Sequence, residues 1–323
     1  MKKKRSSPWR RLAYASGALS LLVILASFFV SKYYLTFSRH QPYDQLPSDL
    51  QLPFTEVDFP SRMDRVKIHG WFIPGAQQAA GSSKNQGTIL IVHGHHSNMG
   101  KIGKINLLSN IAMPLHRQGY GVLLFDLRNH GQSGDLPPVT LGFWEKDDVL
   151  GAIDFLDQQS SAWGIDSHRL GIFGVSMGGA TSIYAAAADL QGKSPHIKAA
   201  FIESAFARTR DPIELKLGID GVPHLVQKLL LFWFSILPEQ DILQNNPIEY
   251  IKDLAIPLYF VHAHQDREVR PEDAEEMYER ARHEHPGIPA ELWISPASEH
   301  AATAGELPVE FTERLVGFFS KVL

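Results

Sequence analysis

From Thr88 onward the chain alternates short, continuously apolar runs with longer stretches of helical periodicity. "TILIV", "GVLLFD", "RLGIF", "KAAFIE", "IPLYFVHA" and "AELWIS" are separated by helical patterns near 104–118, 144–159, from 177, 271–283 and 306–321. A strand that is apolar at every position must be covered on both faces, and helices between such strands supply the cover. The pattern predicts an α/β fold with a mostly parallel central sheet and helices on both faces. Upstream, "TEVDFP" and "VKIHGWFIP" read as a pair of edge strands, joined to the first parallel strand by the small polar loop Gly75 to Gly87. With 323 residues and 44% hydrophobic content the chain can bury one large core, so residues 51–323 are read as a single domain.

The N-terminus has a different character. Residues 12–31, "LAYASGALSLLVILASFFVS", carry no charge, while Lys2, Lys3, Lys4, Arg5, Arg10 and Arg11 precede them and Lys32, Tyr33 and Tyr34 follow. Twenty uncharged residues suffice to cross a bilayer, and the flanks resemble interfacial anchors. The A-x-A-like triplets between Ala13 and Ala18 lie ahead of the most apolar part, which favours an uncleaved signal anchor over a removed signal peptide. The expected organisation is a cytoplasmic basic tail (1–11), a transmembrane anchor (12–31), a tether (32–50) and a catalytic domain on the extracytoplasmic side. The whole chain has a formal charge of −4 and the first eleven residues +6, which leaves −10 on the rest. That balance argues against nucleic acid as a partner. The absence of cysteine removes disulfides, thiolate metal sites and a cysteine nucleophile, so Ser, His, Asp and Glu are left to carry chemistry.

"GVSMG", Gly174 to Gly178, places Ser176 between glycines where a strand run gives way to a helical one. A serine at a tight strand-to-helix turn projects its hydroxyl from the sheet edge, and larger residues at the glycine positions would collide with neighbouring elements. A glycine-rich turn with an incidental serine is the bland alternative. Three further motifs stand in order around it: "HGHHSN" from His93, "DLRNHGQSG" from Asp126 and "VHAHQDREV" from Val261. Together the four resemble the α/β-hydrolase superfamily. They are most similar to single-pass, membrane-anchored serine hydrolases related to esterases, acyl-thioesterases and serine aminopeptidases.

The resemblance covers residue 55 to the C-terminus and implies an α/β-hydrolase fold needing no metal or other cofactor. It implies Ser176 as nucleophile, Asp266 as the acid, His300 as the base, and the backbone amides of His95 and Met177 as oxyanion donors, with Gly174 and Gly178 shaping the elbow. Glu203, at the end of "AAFIE", and Glu268 are rival acids; His283 and His285 read as surface residues. Relatives commonly have glycine where this chain has Ala263, so the loop bearing Asp266 is expected to differ in shape. His262, His264 and Asp266 also form H-x-H-x-D, and His93, His95 and His96 a second cluster, which leaves a metallo-hydrolase reading open. Asp126, Arg128 and His130 are expected to fix loops around the cleft.

Between "FIES" and "IPLYF" lies an insert, about 205–255, that contains "HLVQKLLLFWFSIL" (224–237). It reads either as a buried helix on the sheet or as a cap over the cleft. An apolar insert and an anchor suit a small-molecule or lipid-like acyl substrate, so hydrolysis of an ester or thioester is the first expectation. An aminopeptidase, with Glu203 or Glu299 holding the substrate ammonium, is the second, and a non-catalytic binding module is the third. Oligomeric state is not legible.

Overall fold

The computed structural model describes residues 8–76 and 86–323. Most of the basic tail and of the loop after Gly75 therefore lies outside the described residues. The domain is built on eight strands: β1 (Thr55–Pro60), β2 (Lys67–Ile73), β3 (Thr88–Val92), β4 (Gly121–Phe125), β5 (Leu170–Val175), β6 (Ile197–Glu203), β7 (Leu258–Ala263) and β8 (Ala290–Ser295). Their order in the sheet is β1-β2-β4-β3-β5-β6-β7-β8. β2 runs antiparallel to both its neighbours, and every pairing from β4 to β8 is parallel.

The apolar runs form strands because both faces are covered. Along β3, Leu90 and Val92 enter one core while Ile89 and Ile91 enter the other. The first core is closed by α3 (Lys146–Trp163), α4 (Met177–Leu190) and α7 (Pro271–Glu284), and the second by α2 (Met113–Arg117) and α8 (Pro308–Val322). Helix α8 shows how the pattern dictates the packing. Phe311, Leu315, Phe318 and Phe319 are spaced to share one face and all four are buried. Since the parallel strands point the same way, their C-terminal ends gather the loops after β3, β4, β5, β7 and β8 at one edge.

Three expectations need correction. The helix read from residue 104 starts later, because Lys101–Ile102 and Ile105–Asn106 form a two-stranded hairpin around Gly103 at φ +52°, and Leu107–Ala112 then makes a π-type turn into α2. The insert folds as α5 (Arg210–Ile219) and α6 (His224–Ile236), but α6 does not pack on the sheet. Its Leu230, Leu231 and Phe234 cluster with Leu35, Ile242 and Leu243, because the apolar helix α1 (Pro8–Thr36) lies alongside it.

The third correction concerns residues 32–50, read as a tether. Helix α1 continues to Thr36, and the segment beyond it is hydrogen-bonded onto the domain. Arg39 is buried, its N–H donates to Asn129 O (2.6 Å), and its carbonyl accepts from Gly131 N (3.2 Å). Tyr43 donates to Asp126 Oδ2 (2.5 Å), and Asn98 Nδ2 donates to the carbonyls of Gln41 and Pro42. A buried backbone must find partners, and here the two loops at the C-terminal sheet edge provide them.

The loop after β4 is fixed from within. Asp126 accepts from the amides of Met99 and Gln132, both at 2.8 Å. Arg128 is fully buried and forks onto Asp148 (2.7 Å), with Asp64 and Ser61 completing its donors. Burial pushes the Asp148 carboxyl up to about 6, although the guanidinium pulls it the other way. Removing one partner of such a pair strands the other charge, so Arg128→Ala should lose about 3–5 kcal/mol in urea unfolding. Arg128→Met with Asp148→Leu should recover much of that loss.

Candidate active site

Ser176 closes β5 and precedes α4 with φ +56° and ψ −123°, a conformation that side chains strongly disfavour. Neighbouring atoms hold it there. Its N–H donates to Glu203 O on β6 (2.8 Å), and its carbonyl accepts from Gly179 N and Ala180 N. A methyl at Gly174 would lie 2.4 Å from Gly178 O, and one at Gly178 would lie 2.2 Å from Val92 O, so the turn closes only with glycine at both positions.

His300 bridges Ser176 and Asp266. Its Nδ1 lies 2.7 Å from Asp266 Oδ2 and its Nε2 lies 2.9 Å from Ser176 Oγ. An ionised carboxylate only accepts, so Nδ1 carries the proton and Nε2 is left to accept from the serine hydroxyl. The other Asp266 oxygen accepts from the amides of Glu268 (2.8 Å) and Val269 (2.9 Å), and His262 Nε2 reaches Oδ2 at 3.1 Å. Burial alone would raise the Asp266 carboxyl, but the hydrogen bonds from His262 and His300 overcome it and hold the group well below the usual carboxylate range. Burial works to lower His300, and it is outweighed by the bond to Asp266 and the charges of Asp266 and Glu268, so its pKa is raised.

Both ring nitrogens of His300 are taken, one by Asp266 and one by Ser176, which leaves neither for a rival acid. Glu203 is fully buried, and burial pushes its pKa up to about 8 against the opposing pull of Thr303. Glu268 offers its backbone to Asp266 and leaves its side chain exposed. Ala263 packs with Ala297 and Ala302, so the methyl that replaces the expected glycine ties the loop of Asp266 to that of His300. His283 is exposed, and His285 contacts the Lys252 carbonyl.

The loop after β3 faces the serine. A methyl on Gly94 would come within 3.1 Å of Ser176 Cβ. His93 fixes this loop: its Nδ1 meets Gly94 O (2.8 Å), and its Nε2 accepts from Leu127 N (2.9 Å). His95 follows directly, and Met177 holds the first position of α4, where a backbone N–H has no intrahelical acceptor. Sequence reasoning missed what stands beside this loop. Arg39 Nε donates to His96 Nδ1 (3.3 Å), and the Tyr34 ring meets the His96 ring edge-on at 6.0 Å. The polar composition of 32–50 carried no signal for either contact.

The H-x-H-x-D motif does not assemble as a ligand set, because His262 serves Asp266 while His264 is exposed. Among the described residues, the group with ligand-like spacing is Asp157, His168 and His196. It lies beyond the opposite ends of the strands, with Asp157 already accepting from Ser167 and His196 paired with Asp189.

Comparisons with known proteins agree with this architecture. The sequence model of the family described as "Serine aminopeptidase, S33" matches residues 83–246. The chain is similar to the uncharacterized protein YqkD of Bacillus subtilis, 26% identical over 302 residues that span 90% of this chain and 91% of that one. It is also similar to the thiohydrolase aneE of Aspergillus aculeatus, 31% identical over 142 residues, or 42% of this chain and 38% of that protein. Among solved structures, the Pyrococcus furiosus esterase Pf2001 superposes with a TM-score of 0.70 at 23% identity, covering 89% of this chain and 98% of that chain.

The crowded imidazoles have a testable consequence. Burial, reinforced by the charge of Arg39, lowers His95 well below its ordinary value and His96 to about 4; burial, with His93, lowers His130 as well. Below pH 6.5 the unfolded chain takes up protons that these folded histidines refuse, so stability present above pH 6.5 is lost as pH falls toward 4. Melting temperature measured from pH 7.5 to 4 should shift in favour of His96→Asn relative to the native chain as pH falls across that window.

Proposed function

The chain belongs to the serine aminopeptidase, S33, family of α/β hydrolases, and from that premise we propose a membrane-anchored serine hydrolase that cleaves an acyl ester or thioester. The observation that carries the reading is the single imidazole lying within hydrogen-bond reach of both Ser176 Oγ and Asp266 Oδ2. In this mechanism Ser176 attacks the acyl carbonyl while His300 Nε2 takes its proton. Asp266, kept ionised by its donors, stabilises the imidazolium and holds the tautomer. The amides of His95 and Met177 receive the oxyanion, His300 returns its proton to the leaving group, and water repeats the sequence on the acyl-enzyme.

The peptidase reading has the family description in its favour. It would require a carboxylate to hold the substrate ammonium. Glu203 is buried with its pKa pushed up to about 8, which leaves it mostly neutral at pH 7, and Glu299 is paired with Lys104 at 3.0 Å. Neither offers that charge, so the ester reading is preferred. Helix α1 supports an anchor rather than a removed leader because its last turns pack on α6 and lead into the buried Arg39. The basic N-terminal flank favours a cytoplasmic tail and an extracytoplasmic domain.

A fluorophosphonate probe should label the full chain in detergent and fail to label Ser176→Ala; labelling of the alanine variant would sink the mechanism. Asp266→Asn should lower kcat by about 10⁴-fold. The base must be neutral to act and its pKa is raised, so kcat/KM should climb with pH through an inflection above 6.5. In Asp266→Asn that inflection should move to lower pH. Rates on p-nitrophenyl esters of increasing chain length, compared with aminoacyl amides, choose between the two substrate classes.

A further inference from the structure

Helix α6 turns a large apolar surface outward. Leu225, Phe232 and Ile236 are 69%, 50% and 52% exposed, and their spacing puts them on one face, with Lys228 exposed among them. Side chains of this size in such a cluster mark a surface that meets something other than water. What covers this face follows from what holds the opposite one. Trp233 Nε1 donates to Ser27 Oγ (3.0 Å), the Trp233 and Phe28 rings meet edge-on at 5.2 Å, and Ser31 Oγ donates to Leu230 O (3.3 Å).

Those partners belong to the uncharged run of α1. A hydrocarbon core takes up about 20 helical residues, so Ser27 and Ser31 fall in its last turns, with Ser27 about 6 Å deeper than Ser31. A helix that touches both is not clear of a membrane that α1 spans. Helices lying in an interface carry large apolar residues on the buried face and lysines whose ammonium groups reach back to the headgroups. Leu225, Phe232, Ile236 and Lys228 have that composition. The same place adjoins the site: Phe234 meets Tyr34 edge-on at 6.3 Å, Tyr34 meets His96 at 6.0 Å, and the His95 and His96 rings lie 4.1 Å apart.

We infer that the face formed by Leu225, Phe232 and Ile236 is immersed in the extracytoplasmic leaflet of the membrane that α1 crosses, and that Ser176 receives its substrate from that leaflet. The substrate class is an acyl lipid resident in the bilayer, delivered at the α1–α6 edge. This rests on the anchored-hydrolase reading above.

The native chain has no cysteine, so single replacements can be labelled without background. Phe232→Cys, Ile236→Cys and Leu22→Cys, each carrying an environment-sensitive fluorophore, would be reconstituted as full chains in phosphatidylcholine and phosphatidylglycerol vesicles containing brominated acyl chains. Quenching at positions 232 and 236 as well as 22 is expected. Quenching at 22 alone overturns the immersion while leaving the anchor intact, and no quenching at 22 overturns the anchor. In the same vesicles, Phe232→Glu with Ile236→Glu should slow hydrolysis of a long-chain acyl lipid at least about tenfold more than hydrolysis of a water-soluble short ester. An equal change on both substrates overturns delivery from the leaflet. Should the acidic pair fail to fold, the pair Phe232→Ser and Ile236→Ser makes the same comparison, with short-ester turnover reporting the fold.

Discussion

The left-handed bend at Ser176 is the constraint around which the rest of the structure is arranged. A non-glycine residue at φ +56° and ψ −123° costs of order 1–3 kcal/mol, and it persists only where its surroundings leave no alternative. They do so here because β5 is a central strand, buried along its length, with β3 and β6 paired on either side. Relaxing the bend would break the bonds that Ser176 N makes to Glu203 O and that Ser176 O receives from Gly179 and Ala180. His96, Ser204 and Ala301 also have positive φ. All three follow strands that end at this edge, so part of the strain gathers there, while Gln51 and Arg65 carry positive φ elsewhere.

Two carboxyl groups at that edge show how local environment separates roles that residue type alone cannot. Asp266 and Glu203 are both withdrawn from water. Asp266 receives two backbone amides and two imidazoles, which keeps it ionised; at Glu203 burial outweighs the opposing pull of Thr303 and Ala304 and pushes the group toward the neutral acid. A charged Glu203 would act electrostatically on His300 alongside Asp266. Its neutral state lets a single partner fix the imidazole tautomer.

The strands, the elbow and the hydrolase fold were legible in the sequence because each depends on local pattern: continuous apolar runs such as "TILIV" at the sheet centre, glycines flanking Ser176, and a face of phenylalanines on α8. Asp266 was preferred to Glu203 only through resemblance, since both end or follow strands and what separates them is the set of donors that each meets in space. His262 was visible in H-x-H-x-D, but as a metal ligand rather than as a donor to Asp266. Residues 32–50 read as a tether because the distant hydrogen-bond partners of Arg39 to Gln45 lie 56 to 95 positions away, as with Pro42 and Asn98 or His40 and Asp135, and short-range composition carries no trace of such bonds. The all-round apolar pattern of α6 forecast a covered helix without saying what covers it.

That misreading matters for what an anchor can do. A flexible 19-residue tether could let the domain drift by as much as about 60 Å from the bilayer. The observed segment is helical to Thr36 and pinned at Arg39 on both sides, to Asn129 and to Gly131. From Lys32 to Arg39 the chain spans at most about 16 Å, counting four helical and three extended residues. With α1 in a membrane, the His93–His96 loop that Arg39 contacts is held at a fixed height above the interface, and the orientation of the cleft is fixed with it. Helices α1 and α6 would then act as one unit, since α6 rests on the same turns of α1 that lead into Arg39. An enzyme mounted in this way gives up reach and gains constant presentation of its nucleophile to one side of a surface. That exchange favours a substrate confined to the same plane, because lateral diffusion replaces the search through solution that a tethered domain would need.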